Sequence, residues 1–297
     1  MNWLFPDWRR KFLRRVEPLL PGLLVSSVFV ALSSLGAFDY LEALSSDVIT
    51  RSRGHQAWSE ELLVIGIDDA TLAKLGQYPI PRQYYADLLQ ILIDSGNSIV
   101  AFDILMSESN QDDEGVANVI LANAISEHGG VILGATIGAD GQPLNPNTLL
   151  KNAAKIGQLD ESSDFDGVTR SHKLYLGQRA SLAAATAALY GLTTDVIALP
   201  ILPENELFLN WPGPVDTVNF ASLIDVLEGK VTAKRLNNKI ILVGATGTGI
   251  DQGLRTPFDN SRVGGVYVYA AVLHNLVQEN WLRRPNQLLV YGLLLLI

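Results

Sequence analysis

The 297-residue sequence has no cysteine and only four histidines. The absence of cysteine excludes a disulfide framework and a thiolate metal site. The histidines occur singly, without paired spacing, and none belongs to a recognisable arrangement with serine and aspartate. A hydrolase triad is therefore not expected, and we assign no catalytic residue in this chain. The four histidines are His55, His128, His172 and His274.

Basic residues are also few. The chain carries 22 Lys and Arg against 31 Asp and Glu, which gives a formal net charge of −9. Residues 1–38 hold five basic and two acidic side chains, so the rest of the chain is more acidic than the total indicates. An acidic body repels the phosphates of nucleic acids, and a nucleic-acid partner is not expected.

One long stretch, residues 18–38, has no charged residue at all. About twenty apolar residues at a rise of 1.5 Å span the roughly 30 Å hydrocarbon core of a bilayer, so this stretch is predicted to be a transmembrane helix. The preceding basic cluster indicates that residues 1–17 lie in the cytoplasm. A cleaved signal peptide is the alternative, but the stretch is longer than a usual signal core and no A-x-A-like site follows.

Residues 287–297 are uncharged and become wholly apolar, but eleven residues are too few to cross a bilayer as a helix. We predict that they begin a second transmembrane helix; a buried C-terminal helix is the alternative. Residues 39–286 would then form an extracytoplasmic domain, tethered at both ends to the plasma (inner) membrane. Residues 39–60 continue the anchor as a juxtamembrane helix, with its apolar residues on one side, namely Leu41, Leu44, Val48 and Ile49.

The stretch from residue 62 to residue 104 predicts the fold. Residues 62–67 and 99–104 are short runs rich in Val and Ile, typical of strands that are buried on both faces. The segment between them has apolar residues at helical spacing, which makes a βαβ unit with a right-handed crossover. We predict an α/β fold, a mostly parallel Rossmann-like sheet flanked by helices. Further strands are expected at 131–137 and 239–243, and further helices at 220–227 and 266–280.

Both strands of this unit end in acids, Asp68 with Asp69 in one and Asp103 in the other. The carboxyl edge of an open α/β sheet is where ligands bind. Together with Asp112 or Asp113 of the next loop, these carboxylates are candidate ligands for Ca²⁺ or Mg²⁺, which prefer oxygen; no other cofactor is expected. The alternative is structural: Asp68 or Asp69 caps the following helix, and Asp103 accepts hydrogen bonds from a loop.

Three further residues are ligand-binding candidates for the same edge. Arg82 precedes the crossover helix and either reaches the acids or lies at the surface. Thr246 and Asp251 follow the strand at 239–243 and face the acids if that strand lies beside theirs. The intervening run GATGTG, residues 244–249, resembles a phosphate-binding loop, but no helical pattern follows it, so nucleotide binding is not expected.

A second acidic loop, DFDGVTR at residues 164–170, shares part of a calcium-binding pattern. The glutamate that would complete an EF-hand loop is replaced by Tyr175. The alternative interpretation is a tight turn in which an aspartate pairs with Arg170.

Seven motifs in order give the chain a family resemblance. They are IGIDDATLAKLG-x-Y-P-x-PR (65–82), AFDI (101–104), DFDGVTR (164–170), FLNWPGP (208–214), KIILVGAT (239–246), D-x-x-x-x-TPF (251–258) and GVYVYAAVLHNLV (265–277). Together they resemble the bacterial CHASE domain of type two, over about residues 39–282. There is one departure: where that family often has Glu-Ile-His-Ala in the last helix, this chain has YVYA at residues 267–270.

The resemblance implies an extracytoplasmic sensory domain of a membrane receptor. Such receptors control a cytoplasmic adenylate or guanylate cyclase, histidine kinase, Ser/Thr kinase or diguanylate cyclase, and none of these output domains lies within the 297 residues. We expect a homodimer that responds to a small molecule or an ion. Two other interpretations stay open: a metal-dependent ecto-enzyme that uses the strand-end acids, and an ectodomain that only holds subunits together.

Overall fold

The computed structural model describes residues 20–107, 114–159, 163–194, 199–250 and 253–284, together with Gly292. The chain divides into two compact units, one of Met1–Ser52 with Arg283–Ile297 and one of Arg53–Leu282. Residues 1–17, the predicted cytoplasmic terminus, lie outside the described residues. The predicted second membrane segment, residues 287–297, lies outside them too except for Gly292.

The smaller unit begins with helix α1, Leu20–Ser34, whose apolar side chains are largely exposed. Two residues after its end, Gly36 has φ +76° and the N–H of Ala37 donates to the Leu32 carbonyl at 3.0 Å, a glycine-terminated helix end. Helix α2, Asp39–Arg53, follows at an angle of 79°. Among the described residues no single helix is long and apolar enough to span a membrane; α1 and α2 meet that requirement only as a bent pair. The juxtamembrane helix is thus present, but it turns away from α1 instead of continuing it.

The larger unit alternates strands and helices. Its strands are β1 Leu62–Ile67, β2 Ser98–Leu105, β3 Val131–Ile137, β4 Pro143–Leu144, β5 Lys155–Gln158, β6 Ser171–Lys173, β7 Tyr175–Leu176, β8 Arg179–Ala180, β9 Glu206–Phe208, β10 Phe220–Ser222 and β11 Lys239–Ala245. Its helices are α3 Asp69–Leu75, α4 Gln83–Ser95, α5 Glu114–His128, α6 Thr148–Ala153, α7 Leu182–Thr194, α8 Leu223–Leu227, α9 Ala233–Leu236 and α10 Val266–Gln278.

One sheet organises this unit. Its order is β10–β1–β11–β2–β3, and both β4 and β5 pair with β3. All of these pairings are parallel except that of β3 with β4. The predicted mostly parallel α/β fold is confirmed. The last strand, β11, lies between the two strands of the first βαβ unit, and its register places Gly244 beside Gly66 on one side and Asp103 on the other.

The order of the strands explains which face each helix covers. The connections from β1 to β2, β2 to β3, β3 to β5 and β10 to β11 all advance in the same direction across the sheet. Right-handed crossovers that advance in one direction place their helices on one face, and α4, α5 and α8 pack there. The connection from β5 back to β10 runs the other way, so α7 covers the opposite face, together with α10.

The central strands are buried on both faces, as predicted. Every residue of β1 is buried, and successive residues contribute to opposite cores. Leu62 and Val64 belong to the core that contains α7 and α10, whereas Leu63 and Ile65 belong to the core that contains α4 and α5. Burying one Leu, Ile or Val side chain contributes about 1.5–3 kcal/mol, so this double core holds the sheet together.

One element of the predicted fold is wrong. Residues 220–222, expected to begin a helix over 220–227, form the edge strand β10, and α8 begins only at Leu223. The strand pairs with Val64, Ile65 and Gly66 of β1. This pairing lies far away in the sequence, and it outweighs the local helical pattern.

Candidate functional site

The carboxyl ends of β1, β11 and β2 lie side by side, and the chain leaves them toward different faces. After β1 and β2 it passes to helices on one face of the sheet, and after β11 it passes to α10 on the other. Such a divergence opens a crevice, the usual ligand position in an open α/β sheet. We define the carboxyl-edge crevice by Asp68, Asp69, Asp103 and Thr246. The condition for Thr246 to face the acids, a strand beside theirs, is met.

Asp68 is the N-cap of α3, so the structural alternative is confirmed for this residue. Its Oδ1 accepts hydrogen bonds from the Thr71 N–H at 2.9 Å, the Thr71 hydroxyl at 2.7 Å and the Ser222 hydroxyl at 2.7 Å. Ser222 is the last residue of β10. One carboxylate therefore joins the ends of two neighbouring strands to the first turn of a helix.

Asp69 holds the glycine-rich loop that follows β11. Its carboxylate accepts hydrogen bonds from the N–H of Thr248 at 2.8 Å and from the Thr248 hydroxyl at 3.0 Å. The N–H groups of Thr246 and Gly247 both donate to the carbonyl of Ile67. Because these amides are used within the protein and no helix begins in the described part of the loop, the arrangement lacks the features of a phosphate site.

Asp103 lines a cavity that Asp68, Asp69 and Thr246 do not line. Asp103 is half-buried and lines, with Tyr78 and Thr136, a cavity of about 340 Å³. The Thr246 hydroxyl is buried and has no hydrogen-bond partner among the described residues. A Cβ on Gly66 would lie 2.3 Å from that hydroxyl, so only glycine allows β1 to approach it so closely.

Arg82 is buried, and the surface alternative is wrong for it. Its guanidinium donates hydrogen bonds to Asn118 Oδ1 of α5 and to the carbonyl of Ser107. These contacts fasten the start of α4 to the chain that follows β2. The other predicted partners of the crevice, namely Asp112, Asp113 and Asp251, lie outside the described residues.

A metal centre is not assembled by the acids that the structure describes. Within the described ranges, no group of three or more acidic or histidine side chains is arranged to hold a metal ion. In the second acidic loop, Arg170 donates to Asp164 at 2.7 Å and to Asp166 at 2.8 Å. The hydrogen bonds from Arg170 hold the pKa of Asp166 below its ordinary value. The tight turn with an Asp–Arg pair is therefore confirmed.

The chain enters and leaves the larger unit at the opposite edge of the sheet. The N–H of Ser59, three residues before β1, donates to His274 Nδ1 at 3.1 Å near the end of α10. Arg53 donates to Asn210 Oδ1 and to the carbonyl of Trp211. The segment that enters the unit is therefore fastened to its last helix.

Asn275 completes this connection. It is fully buried; its Oδ1 accepts from the Asn210 N–H at 2.9 Å, and its Nδ2 donates to the Asn210 carbonyl at 3.1 Å. Asn210 in turn donates through Nδ2 to the Asn280 carbonyl at 2.9 Å. Sequence reasoning missed these residues, because their role depends on three distant segments that only the fold brings together. We name them the junction cluster: Arg53, Ser59, Asn210, His274, Asn275 and Asn280.

A second cavity, of about 910 Å³, opens at this edge of the sheet. Its lining includes Glu127, His128, Tyr190 and Lys239. Burial lowers the pKa of His128, and burial together with the charge of Glu61 raises that of Tyr190. The lining mixes both signs of charge, so it selects no ligand class.

A protein-family model described as the CHASE2 domain matches residues 23–297. The chain belongs to the CHASE2 domain family. The resemblance carried by the seven motifs is thus confirmed, and with it the coarse function, because CHASE2 is a family of extracellular sensory domains, typically parts of membrane receptors. No curated protein and no solved structure matches the chain.

Two tyrosines stand in the motif in which this chain differs from the CHASE2 family, residues 267–270. Tyr267, where the family often has glutamate, lies in the first turn of α10. Burial, and then the charges of Asp68 and Asp259, raise the pKa of Tyr267 to about 12, so its hydroxyl stays protonated at neutral pH. Tyr269, where the family often has histidine, is fully buried, its ring 5.6 Å from that of His172. Sequence analysis noted the departure from the motif but did not assign Tyr267 to the site.

We predict that Asp68→Ala lowers the free energy of unfolding by about 1–3 kcal/mol, because the N-cap and the acceptor for the Ser222 hydroxyl are both lost. Asp68→Asn keeps an acceptor oxygen and is expected to cost less than about 1 kcal/mol. Urea denaturation of the full chain in detergent, followed by circular dichroism, measures both. Asp94→Ala, at an exposed position of α4, is the control. Equal losses for Asn and Ala would contradict the capping role.

Folding stability should also depend on His274. Burial, and then the charge of Arg53, lower the pKa of His274 from 6.5 to about 4. Below pH 6.5 the unfolded chain therefore binds a proton at His274, whereas the folded chain does not bind it until about pH 4. The free energy of unfolding falls as the pH is lowered across that window, by up to about 1.4 kcal/mol per pH unit from this residue.

His274→Gln should flatten this pH dependence, whereas the exposed control His55→Gln should not. Denaturation series at half-unit steps from pH 4 to pH 7 make the comparison. Identical slopes for His274→Gln and the unchanged chain would show that His274 does not carry the effect.

Proposed function

We propose that this CHASE2 domain is the extracytoplasmic sensory region of a bacterial transmembrane receptor in the plasma membrane. In this proposal the domain acts as a homodimer and controls a cytoplasmic output domain, an adenylate or guanylate cyclase or a kinase. The stimulus is a small molecule or an ion that binds at the carboxyl-edge crevice.

The observation that carries the proposal is the position of α10. Its first turn lies at one edge of the sheet, where the charge of Asp68 acts on Tyr267, and its last turns bring His274 and Asn275 into the junction cluster at the other edge. α10 is a rod in which seven to eight residues, at 1.5 Å each, separate Tyr267 from His274 and Asn275 by about 10–12 Å. Both ends of the larger unit are fastened to that rod at the junction. A receptor needs such a connection between a binding edge and the segments that lead away from it.

The chemistry of the crevice favours a ligand with a cationic or hydrogen-bond-donating group. The carboxylates of Asp68, Asp69 and Asp103 present acceptor oxygens. The buried Thr246 hydroxyl has no hydrogen-bond partner among the described residues, and in this proposal a movement of the loop exposes it to the bound group. A ligand shifts an equilibrium only by its difference in affinity for two states. In this proposal the two states differ in the position of the first turn of α10.

We predict that an authentic stimulus raises the thermal stability of the full chain in detergent. Ca²⁺, Mg²⁺ and a panel of amines, amino acids and small sugars are the probes, each at millimolar concentration. A ligand at about a hundred times its dissociation constant adds roughly 2.7 kcal/mol. The shift should be lost in Asp68→Asn and Asp103→Asn, which remove charge with little change of shape, and kept in Asp94→Asn.

The outcomes separate the three interpretations. A shift that depends on Asp68 and Asp103, with the ligand recovered unchanged, supports sensing. A ligand that is converted during incubation supports the ecto-enzyme. If no probe shifts the melting temperature and the crevice variants leave the output of the complete receptor unaltered, the sensing proposal is contradicted, and the structural interpretation takes its place.

A further inference from the structure

The distribution of polar and apolar side chains on helix α2 is the reverse of that on a surface helix of a water-soluble protein. The residues that it buries are small or polar: Ala43, Asp47 and Thr50. Its large apolar side chains are exposed instead, by 43–69% of their surface, at Tyr40, Leu41, Leu44, Val48 and Ile49. A surface helix normally buries its apolar stripe and exposes its polar one, so something outside the described chain covers this face.

The apolar face is broad. At 100° per residue, Tyr40, Leu44, Val48 and Leu41 fall within about 100° of one another, and Ile49 extends the arc to about half of the circumference. Arg51, Ser45 and Ser52 also lie within the arc. The serines are small, and the long aliphatic stem of Arg51 allows its charge to reach past an apolar surface. A parallel two-stranded coiled coil needs only a narrow seam of alternating three- and four-residue spacing. A face this wide fits a flat apolar surface better than the seam of a second copy.

The angle between α1 and α2 identifies the surface. α1 is apolar and exposed along its length, and α2 leaves it at 79°. If residues 18–38 cross the bilayer, as the sequence predicts, and α1 is part of that segment, a helix at nearly a right angle to α1 runs along the membrane plane. Tyr40 lies in the first turn of α2, next to the bend, and tyrosine side chains concentrate at the boundary between headgroups and hydrocarbon.

We infer that α2 lies flat in the outer membrane interface, with Leu41, Leu44 and Val48 inserted among lipid acyl chains. Amphipathic helices bind in this way when one broad face is apolar and the remainder is polar. The inference rests on the proposed membrane tether, and it changes the predicted role of residues 39–53. They form a lipid-bound amphipathic helix, not an extension of the transmembrane helix.

The absence of cysteine makes a direct test practicable, because any introduced cysteine is unique. Leu44→Cys and Val48→Cys report the apolar face of α2, and Asp39→Cys and Glu42→Cys report its polar face. Val28→Cys in α1 reports the tether. Each full-length variant is spin-labelled and reconstituted in phosphatidylcholine vesicles. Collision rates with oxygen, which partitions into lipid, and with a water-soluble nickel complex are measured for each label.

The inference predicts severalfold higher oxygen than nickel accessibility at positions 44 and 48, the reverse at positions 39 and 42, and a deeper lipid position at 28. Labels at 44 and 48 that are shielded from both reagents and broadened by spin–spin coupling would show a second copy on this face and overturn the inference. Water-accessible labels at 44 and 48 with a lipid-buried label at 28 would overturn it while leaving the tether intact. A water-accessible label at 28 would contradict the tether itself, and the inference with it.

Discussion

The last strand of the sheet, β11, pairs in parallel with both strands of the first βαβ unit, and its register brings Gly244 level with Gly66 and Asp103. Because the chain leaves β11 toward the face opposite to that of its two neighbours, the carboxyl ends of the three strands cannot be closed over by one layer of helices. The crevice therefore results from the position of β11 between β1 and β2. The same position leaves one face of the sheet free of right-handed crossovers that advance along the sheet, and α10 packs on that face.

α10 gives the domain its mechanical connection. It starts against the end of β11, where a Cβ on Gly264 would lie 2.3 Å from the Ala245 carbonyl, and its buried residues run along the core to the junction cluster. There the side-chain amide of Asn275 forms hydrogen bonds with both the N–H and the carbonyl of Asn210. It thus satisfies the backbone groups that a neighbouring strand would otherwise pair with. Buried amides that are fully satisfied specify one arrangement, because any shift leaves several polar groups without partners at once.

Features that depend on local patterns could be predicted from the sequence, whereas features that depend on contacts between distant segments could not. The hydrophobic runs of β1, β2 and β11 predicted a parallel sheet because burial on both faces leaves a continuous apolar run. The acid that caps α3 was recognisable as one of two alternatives, since an aspartate before a helix is a common N-cap. The strand order was not predictable from residues alone, and neither was β10, three residues whose strand conformation exists only through pairing with β1. The junction cluster required the fold: Asn210 and Asn275 stand in two of the seven motifs, but the motifs do not tell that the two side chains meet.

The account makes α10 the connection between the two edges, and amide hydrogen exchange of the full chain in detergent tests that most directly. Tyr267→Ala removes a ring that packs against the core from the first turn of α10 and loosens that turn. Exchange at the amides of Ser59 and Asn210 in the junction cluster is then expected to rise about tenfold, which corresponds to roughly 1.4 kcal/mol. Thr248→Ala removes a side chain at the same edge outside α10 and should leave both amides unchanged. Unaltered protection of Ser59 and Asn210 in Tyr267→Ala would show that the two edges are not connected through this helix.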